Sequence, residues 1–140
     1  MQTDHPPPLR LGYDAKRLFQ NFTGLGNYSR TLVRNLVRYF PEEKYHLFTP
    51  KIVDNTETHF FQQPKHFKVH TSPSRFRKYW RTFSIKDDLR KQQIQVYHGL
   101  SHEIPVGLPQ TGIKSVVTIH DLIFKHYPDY FPFWDRQIYD

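Results

Sequence analysis

The chain has 140 residues, a formal net charge of +7 and no cysteine. This length fits one domain with a single ordinary core, and a hydrophobic fraction of 37% with 16% aromatic residues argues against global disorder. Without cysteine the chain has no disulfide, thiolate nucleophile or cysteine-bound metal, which suits the cytosol. The positive charge indicates an anionic partner such as nucleotide phosphates, an acidic membrane surface or nucleic acid.

The two ends of the chain differ from its middle. Residues 1–8 predict a short disordered leader, because the consecutive prolines there cannot donate ladder hydrogen bonds. No segment approaches the ~18 apolar residues of a membrane span, and the N-terminus has no apolar signal core. Residues 129–140 predict the beginning of a helix. Since no C-cap glycine follows, we expect one domain over 9–140 that is truncated.

Alternating strand and helix patterns fill the rest of the chain. Period-two alternation and short apolar runs predict strands at 9–15, 45–49, 67–70, 94–98 and 115–119. The last of these is expected to be buried on both faces, as parallel strands usually are. Strands that alternate with helices predict parallel βαβ units. The expected fold is a Rossmann-like three-layer α/β domain with a mainly parallel sheet.

Two helices stand out by their period. The first covers 26–40 and ends at Pro41; its apolar stripe contains Tyr28, Leu32, Leu36 and Tyr39, widened by Val33, Val37 and Phe40, while Arg30, Arg34 and Arg38 form another face. Pro73 and Ser74 introduce the second, which continues or restarts towards 93. Its aromatic residues follow helical spacing at Phe76, Tyr79, Trp80 and Phe83. We expect these rings to lie in the core and the neighbouring cations to lie in solvent; base stacking and contact with anionic lipid are the alternatives.

A glycine-bearing loop, Thr23-Gly24-Leu25-Gly26, precedes the first helix. Glycine lets the backbone approach a ligand closely, and free amides at a helix start attract anions. The alternative is a turn that merely requires positive φ, and spacing alone weighs the two equally. The loop is not the dinucleotide fingerprint G-x-G-x-x-G, because Ser29 stands where the third glycine would be.

His120 and Asp121 follow the apolar strand at 115–119. Ligands bind outside the carboxyl ends of strands in open α/β sheets, which favours a functional role over the commoner structural one. An imidazole can hydrogen-bond a sugar hydroxyl or a phosphate, and Asp121 can orient it or cap the next segment. His98 ends the preceding strand and is expected nearby. Gly24 and Gly26 should lie at the same edge.

Metal binding and hydrolase chemistry find little support. The pairs His98/His102 and His66/His70 have the spacing of metal ligands on a helix, yet both fall on strand ends or loops. No metal site is therefore expected. Ser101 and Ser115 lack the nucleophile-elbow pattern G-x-S-x-G.

The order strand, G-Y-D-A, loop, T-G-L-G-N-Y, helix, followed by a strand that ends V-T-I-H-D-L, resembles the N-terminal domain of family-four retaining glycosyltransferases with the GT-B fold. That family includes many bacterial mannosyltransferases, and the resemblance runs from about Leu9 to the end of the chain. The Tyr97-His98-Gly99 strand end also suits its bacterial members.

The resemblance implies roles for particular residues. Gly24, Leu25, Gly26 and Asn27 would place backbone amides near the diphosphate of the donor, and His120 would lie beside the transferred sugar as the catalytic residue. The aromatic and cationic face of the domain would help to bind the acceptor. His98 and Asp121 are expected to contribute to substrate binding.

The resemblance also implies a reaction and its partners. A hexosyl group, mannose or glucose, would move with retention from a nucleotide sugar such as GDP-mannose or a UDP-sugar to a glycan or lipid-linked acceptor in the synthesis of cell-envelope polysaccharide, with no cofactor. The expected place is the cytoplasm, including the inner face of an anionic membrane. Family members hold the donor on a second domain with an E-x7-E motif, which this chain lacks, so the chain alone should be inactive. The rival hypothesis is a non-catalytic module that binds anions or RNA.

Overall fold

The computed structural model describes residues 6–72 and 75–121. Three predictions concern residues outside these ranges. They are the first part of the predicted leader, the start of the second predicted helix at 73–74 and the helix predicted over 129–140. Within the described residues, no helix is both long and apolar enough to cross a membrane.

The sheet has five strands, all parallel, in the order β3-β2-β1-β4-β5. Their bounds are Arg10–Asp14 for β1, Lys44–Thr49 for β2, Phe67–Thr71 for β3, Val96–Gly99 for β4 and Lys114–Val117 for β5. Each agrees with a predicted strand to within about two residues. The predicted fold class is confirmed: helices cover a parallel sheet in a three-layer, Rossmann-like arrangement.

Helices lie on both faces of this sheet. The elements are α1 (Lys16–Gln20), α2 (Gly24–Tyr39), α3 (Arg77–Tyr79), a π-helical turn (Trp80–Ser84) and α4 (Ile85–Lys91), with short 3-10 helices at His59–Gln62 and Pro109–Thr111. On one face α1 and α2 pack over Tyr13, Tyr45 and Leu47. On the other face Trp80 and α4 contribute to a second core. This core consists of Phe48, Trp80, Ile85, Leu89, Ile94, Tyr97, Leu108 and Ile113.

The prediction that the last strand is buried on both faces is wrong. Strand β5 pairs with β4 alone in the described part of the chain, and its four residues are exposed. Val116 is 47% exposed and Val117 is 42% exposed. The apolar run reflects β-propensity, and no described helix packs over this edge strand.

The aromatic stripe of the second helix is also largely exposed, contrary to expectation. Phe76, Tyr79 and Phe83 face solvent, whereas Trp80 is buried as predicted, together with Ile85 and Leu89. The π-helical turn adds a residue between Trp80 and Ile85, so the buried face no longer follows the 3.6-residue period from which the prediction was made. The indole N–H of Trp80 donates to Asp88 at 2.7 Å and anchors this turn.

Helix α2 lies where it was predicted, and its buried face agrees with the prediction at Val33 and Val37 but not at its aromatic residues. It buries Gly26, Ser29, Arg30, Val33 and Val37, with Leu32 and Leu36 partly buried. Tyr28, Tyr39 and Phe40 are exposed. The burial of Arg30 was not expected from the sequence, because charged residues are rarely buried unless they are paired.

Candidate functional site

The carboxyl ends of the five parallel strands meet at one edge of the sheet. Asp14 ends β1, Gly99 ends β4 and Thr118 directly follows β5. The chain leaves β1 for β2 on one side and later returns to place β4 on the other, so the topological switch point lies between β1 and β4. Open α/β sheets bind ligands at such a point. This edge is therefore the candidate functional site.

His120 is held at this edge by the loop after β4. Its Nε2 lies 2.9 Å from the carbonyl oxygen of Leu100, and its backbone N–H donates to Nε2 of His102 at 3.4 Å. A neutral imidazole that donates from Nε2 keeps a lone pair on Nδ1. The ring of Tyr28 meets the His120 ring edge-on, with centroids 4.9 Å apart. His120 can thus accept a hydrogen bond from a ligand hydroxyl while its orientation stays fixed.

A hydrogen-bonded chain connects the two sequence motifs. Nε2 of His98 lies 2.8 Å from Oγ1 of Thr118, and that oxygen lies 3.2 Å from the hydroxyl of Tyr28. Burial lowers the pKa of His98, so this imidazole is neutral near pH 7. Through Thr118 and Tyr28, His98 and His120 lie close together at this edge, and Tyr28 belongs to the helix that begins with the glycine turn.

Two members of this hydrogen-bonded network, Thr118 and Tyr28, were not predicted as site residues from the sequence. Thr118 stands two residues before His120, and side chains two apart in a strand share a face, which was the available signal. Tyr28 was assigned to the core stripe of α2. Helical period alone could not tell a half-exposed ring at the helix start from a core ring.

The glycine turn is helical rather than a loop. Helix α2 already includes Gly24 and Gly26, and neither has positive φ, so the reading as a turn that requires positive φ is wrong. A Cβ on Gly26 would overlap the backbone carbonyl of Asn21, whereas a Cβ on Gly24 would meet open space. Gly26 is therefore needed for the close packing of α2 on the residues after α1. Gly24 leaves its backbone accessible.

The first turn of α2 has both capped and open amides. Oδ1 of Asn21 accepts hydrogen bonds from the backbone N–H groups of Thr23 at 3.1 Å and Gly26 at 2.9 Å. The N–H groups of Gly24 and Leu25 have no acceptor among the described residues. Such groups at the start of a sixteen-residue helix form a region of positive potential.

Arg30 fixes this turn from below. Its guanidinium donates to the carbonyls of Leu18 at 2.9 Å and Asn21 at 2.8 Å and to Oδ1 of Asn27 at 2.7 Å. It also pairs with Glu57 at 2.7 Å. Arg30 therefore differs from the solvent-facing arginines with which the sequence grouped it. The side chain of predicted site residue Asn27 is engaged in holding the turn together.

An ion cluster that the sequence analysis did not single out lies at the switch point. Nη1 of Arg81 is 3.8 Å from the buried carboxylate of Asp14, and Nη2 pairs with Glu103. Burial raises the pKa of Asp14 against the opposing effect of Arg81. The cluster lines a cavity of about 130 Å³ together with Lys78, Thr82, Tyr97, Ile104 and Pro105. The position of Asp14 at the end of β1 was the signal that could have identified it.

The loop after β4 joins the ion cluster to the histidine cluster. Its path depends on Gly99, because a Cβ there would overlap the carbonyl of Glu103. Burial lowers the pKa of His102, and a proton on His120 would lower it further, while the charges of Asp121 and Glu103 raise it. Asp121 is exposed at the end of the described residues and acts here through its charge.

Among the described residues, no group of three or more histidine, cysteine or acidic side chains is arranged to hold a metal ion. The ring of His70 instead stacks on the ring of His46, and Nε2 of His70 lies 3.0 Å from Nδ1 of His46.

Comparisons of the chain with protein-family models, curated proteins and solved structures found no match.

Proposed function

We propose that the chain forms the N-terminal, acceptor-side domain of a retaining glycosyltransferase with the GT-B fold, similar to family four. The observation that carries this proposal is the contact between the start of α2 and the end of β5. Tyr28 touches both His120 and Thr118, and this contact between the two motifs on which the resemblance rests supports a single site.

The chemistry of glycosyl transfer fits this arrangement. Departure of a nucleoside diphosphate develops negative charge on the leaving group and positive charge on the anomeric carbon. The open N–H groups of Gly24 and Leu25 would face the diphosphate, where fixed dipoles lower the barrier. The Nδ1 lone pair of His120 would accept a hydrogen bond from a hydroxyl of the transferred sugar. A cleft closed by a second, donor-holding domain would exclude water.

The proposal includes the substrates of the reaction and the place where the protein acts. The donor is a nucleotide sugar that carries mannose or glucose, the acceptor is a glycan or a lipid-linked sugar, and no cofactor is required. The exposed rings of Phe76, Tyr79 and Phe83 lie on a segment that also carries Arg77 and Lys78, which supports association with an anionic membrane surface. Cytoplasmic location at such a membrane follows from this proposal.

The experiment uses the protein that carries this chain together with a donor domain. Release of nucleoside diphosphate is measured over a panel of GDP- and UDP-sugars with glycan and lipid-linked acceptors, and product NMR reports the anomeric configuration. The proposal expects transfer with retention by the two-domain protein and none by the 140-residue chain alone. Inversion, or efficient transfer by the 140-residue chain alone, would contradict it.

A further inference from the structure

A second cavity lies beside the ion cluster, and every charged residue that lines it is a cation. Its volume is about 240 Å³, and it is lined by Lys16, Gln20, Pro50, Arg77, Lys78 and Arg81. Lys16 follows the end of β1 by two residues, and Pro50 directly follows β2. The cavity thus opens at the same carboxyl edge as the candidate site.

The positive charge of this cavity is only partly neutralised. Arg81 is paired with Asp14 and Glu103. Within the described residues, no carboxylate lies within ion-pair distance of Lys16, Arg77 or Lys78. Of the four cations that line the cavity, only Arg81 is therefore in an ion pair with a described carboxylate.

The local structure holds these cations together despite their repulsion. Arg77 and Arg81 both line this cavity, so their like charges repel each other there. Burial, followed by the charges of Arg81 and Arg17, lowers the pKa of Lys16, and the nearby charges of Glu103 and Asp14 oppose this only in part. Trp80, which is buried, fixes the segment between the two arginines. An anion bound among these side chains would remove the repulsion.

The chemistry of the lining selects the anion. One guanidinium group can donate two parallel hydrogen bonds to the oxygens of a phosphate, and a lysine ammonium adds a flexible point charge. The adjoining cavity shares Lys78 and Arg81 but adds the carboxylates of Asp14 and Glu103, which can accept hydrogen bonds from hydroxyl groups. One molecule could therefore place a phosphate in the cavity lined by Lys16 and Arg77 and its hydroxyl groups in the cavity lined by Asp14 and Glu103.

We propose that the cavity formed by Lys16, Arg77, Lys78 and Arg81 binds the phosphate or diphosphate group of the acceptor, whose sugar hydroxyls lie towards Asp14 and Glu103. This inference rests on the proposed function, because it assigns the substrate class of the acceptor. The phosphate belongs either to a soluble sugar phosphate or to the headgroup of a lipid carrier.

Binding is measured separately from transfer, on the full-length protein. Inorganic pyrophosphate is titrated calorimetrically into wild type, the double variant Arg77→Gln/Lys78→Gln and the control Arg38→Gln. Arg38 is an exposed cation on α2. We expect saturable binding to wild type, at least tenfold weaker binding to the double variant and a change of less than twofold in the control. Absence of saturable binding, or equal losses in the double variant and the control, would overturn the proposal.

A second arm distinguishes the two sources of phosphate. Sedimentation with phosphatidylcholine vesicles, with and without phosphatidic acid, is measured for the same three proteins. Binding that requires phosphatidic acid, is displaced by pyrophosphate and is lost in the double variant assigns a lipid headgroup. Pyrophosphate binding without vesicle binding assigns a soluble phosphate.

The two proposals can fail separately. Saturable pyrophosphate binding that depends on Arg77 and Lys78, in a protein that transfers no sugar, would retain the anion site and remove the glycosyltransferase. Sugar transfer whose KM for the acceptor is unchanged by Arg77→Gln/Lys78→Gln would retain the enzyme and overturn the anion site.

Discussion

Nε2 of His120 donates a hydrogen bond of 2.9 Å to the backbone carbonyl of Leu100. The bond joins the end of β5 to the loop after β4 and determines which ring nitrogen remains for a ligand. In the proposed reaction, the free Nδ1 contacts the transferred sugar.

Replacement of His120 tests this role. In the two-domain enzyme we expect His120→Ala to lower kcat about a hundredfold, the size of effect seen when one transition-state hydrogen bond is removed. The free energy of unfolding should fall by only about 1 kcal/mol, the value of the bond to Leu100. Kinetics and urea unfolding are compared with His59→Ala, a control histidine whose side chain is 74% exposed. Unchanged kcat would make His120 a structural residue.

Tyr28 should position His120. Tyr28→Phe keeps the edge-on ring contact and removes only the hydroxyl near Thr118, so we expect less than a threefold loss of kcat. Tyr28→Ala removes both contacts, and we expect about a tenfold loss with little change in KM, because a misplaced group near the reacting atoms mainly affects the transition state. The control is Tyr39→Ala, since that ring is 70% exposed on the same helix. Equal effects of Tyr28→Ala and Tyr39→Ala would exclude the positioning role.

The two glycines of the first turn of α2 should respond oppositely to alanine. Gly26→Ala places a Cβ against the Asn21 carbonyl, so we expect a loss of about 2 kcal/mol or more in the free energy of unfolding. Gly24→Ala meets no atom and improves helix propensity, so it should stabilise the protein by up to about 1 kcal/mol. Chemical denaturation of both variants checks the pair. A stable Gly26→Ala protein would contradict the packing described for this turn.

Arg30 should be indispensable for stability. Arg30→Met removes the donors to Leu18, Asn21 and Asn27 and leaves these oxygens without a protein partner, so we expect a loss of about 3–5 kcal/mol. Arg30→Lys should also destabilise the protein, because an ammonium cannot reach the same set of acceptors. Thermal unfolding is the measurement. A stable Arg30→Lys variant would show that charge alone suffices.

Stability should fall in mild acid because of the His46/His70 pair. Burial, then the charges of His70 and Lys68, lowers the pKa of His46 to about 4 from an ordinary value of 6.5. Between these values the unfolded chain binds more protons than the folded one, so stability is complete above pH 6.5 and is lost as the pH falls towards 4. The partly buried His70, His98 and His102, whose pKa values are also lowered, act in the same direction. Urea midpoints of wild type and His46→Gln should therefore converge as the pH falls; parallel curves would contradict the assignment.

The sequence predicted the sheet well because strand–helix alternation is a property of local pattern. It predicted all five strands near their places, and it brought His98 and His120 to one edge through the rule for parallel strand ends. It failed where burial depends on distant partners. Val116 and Val117 have the composition of a central strand, but β5 lies at the edge of the described sheet.

Two further failures have physical causes of their own. A π-helical turn between Trp80 and Ile85 changes the helical period, and no residue type in that segment predicts such a turn. Arg30 has the same spacing as Arg34 and Arg38, but only Arg30 lies opposite the open carbonyls at the end of α1. The ion cluster of Asp14, Arg81 and Glu103 joins three distant segments, so it could be found only once the chain was folded.

The strand order has a consequence for the synthesis of this protein. Strand β1 lies between β2 and β4, and Arg10 meets Gln95 across a separation of 85 residues. As the chain emerges from the ribosome, β1 can pair with β2 early, but its other edge must wait until β4 has been translated. During that interval a strand edge is open to wrong partners. The crevice between β1 and β4 is therefore among the last features of the sheet to form.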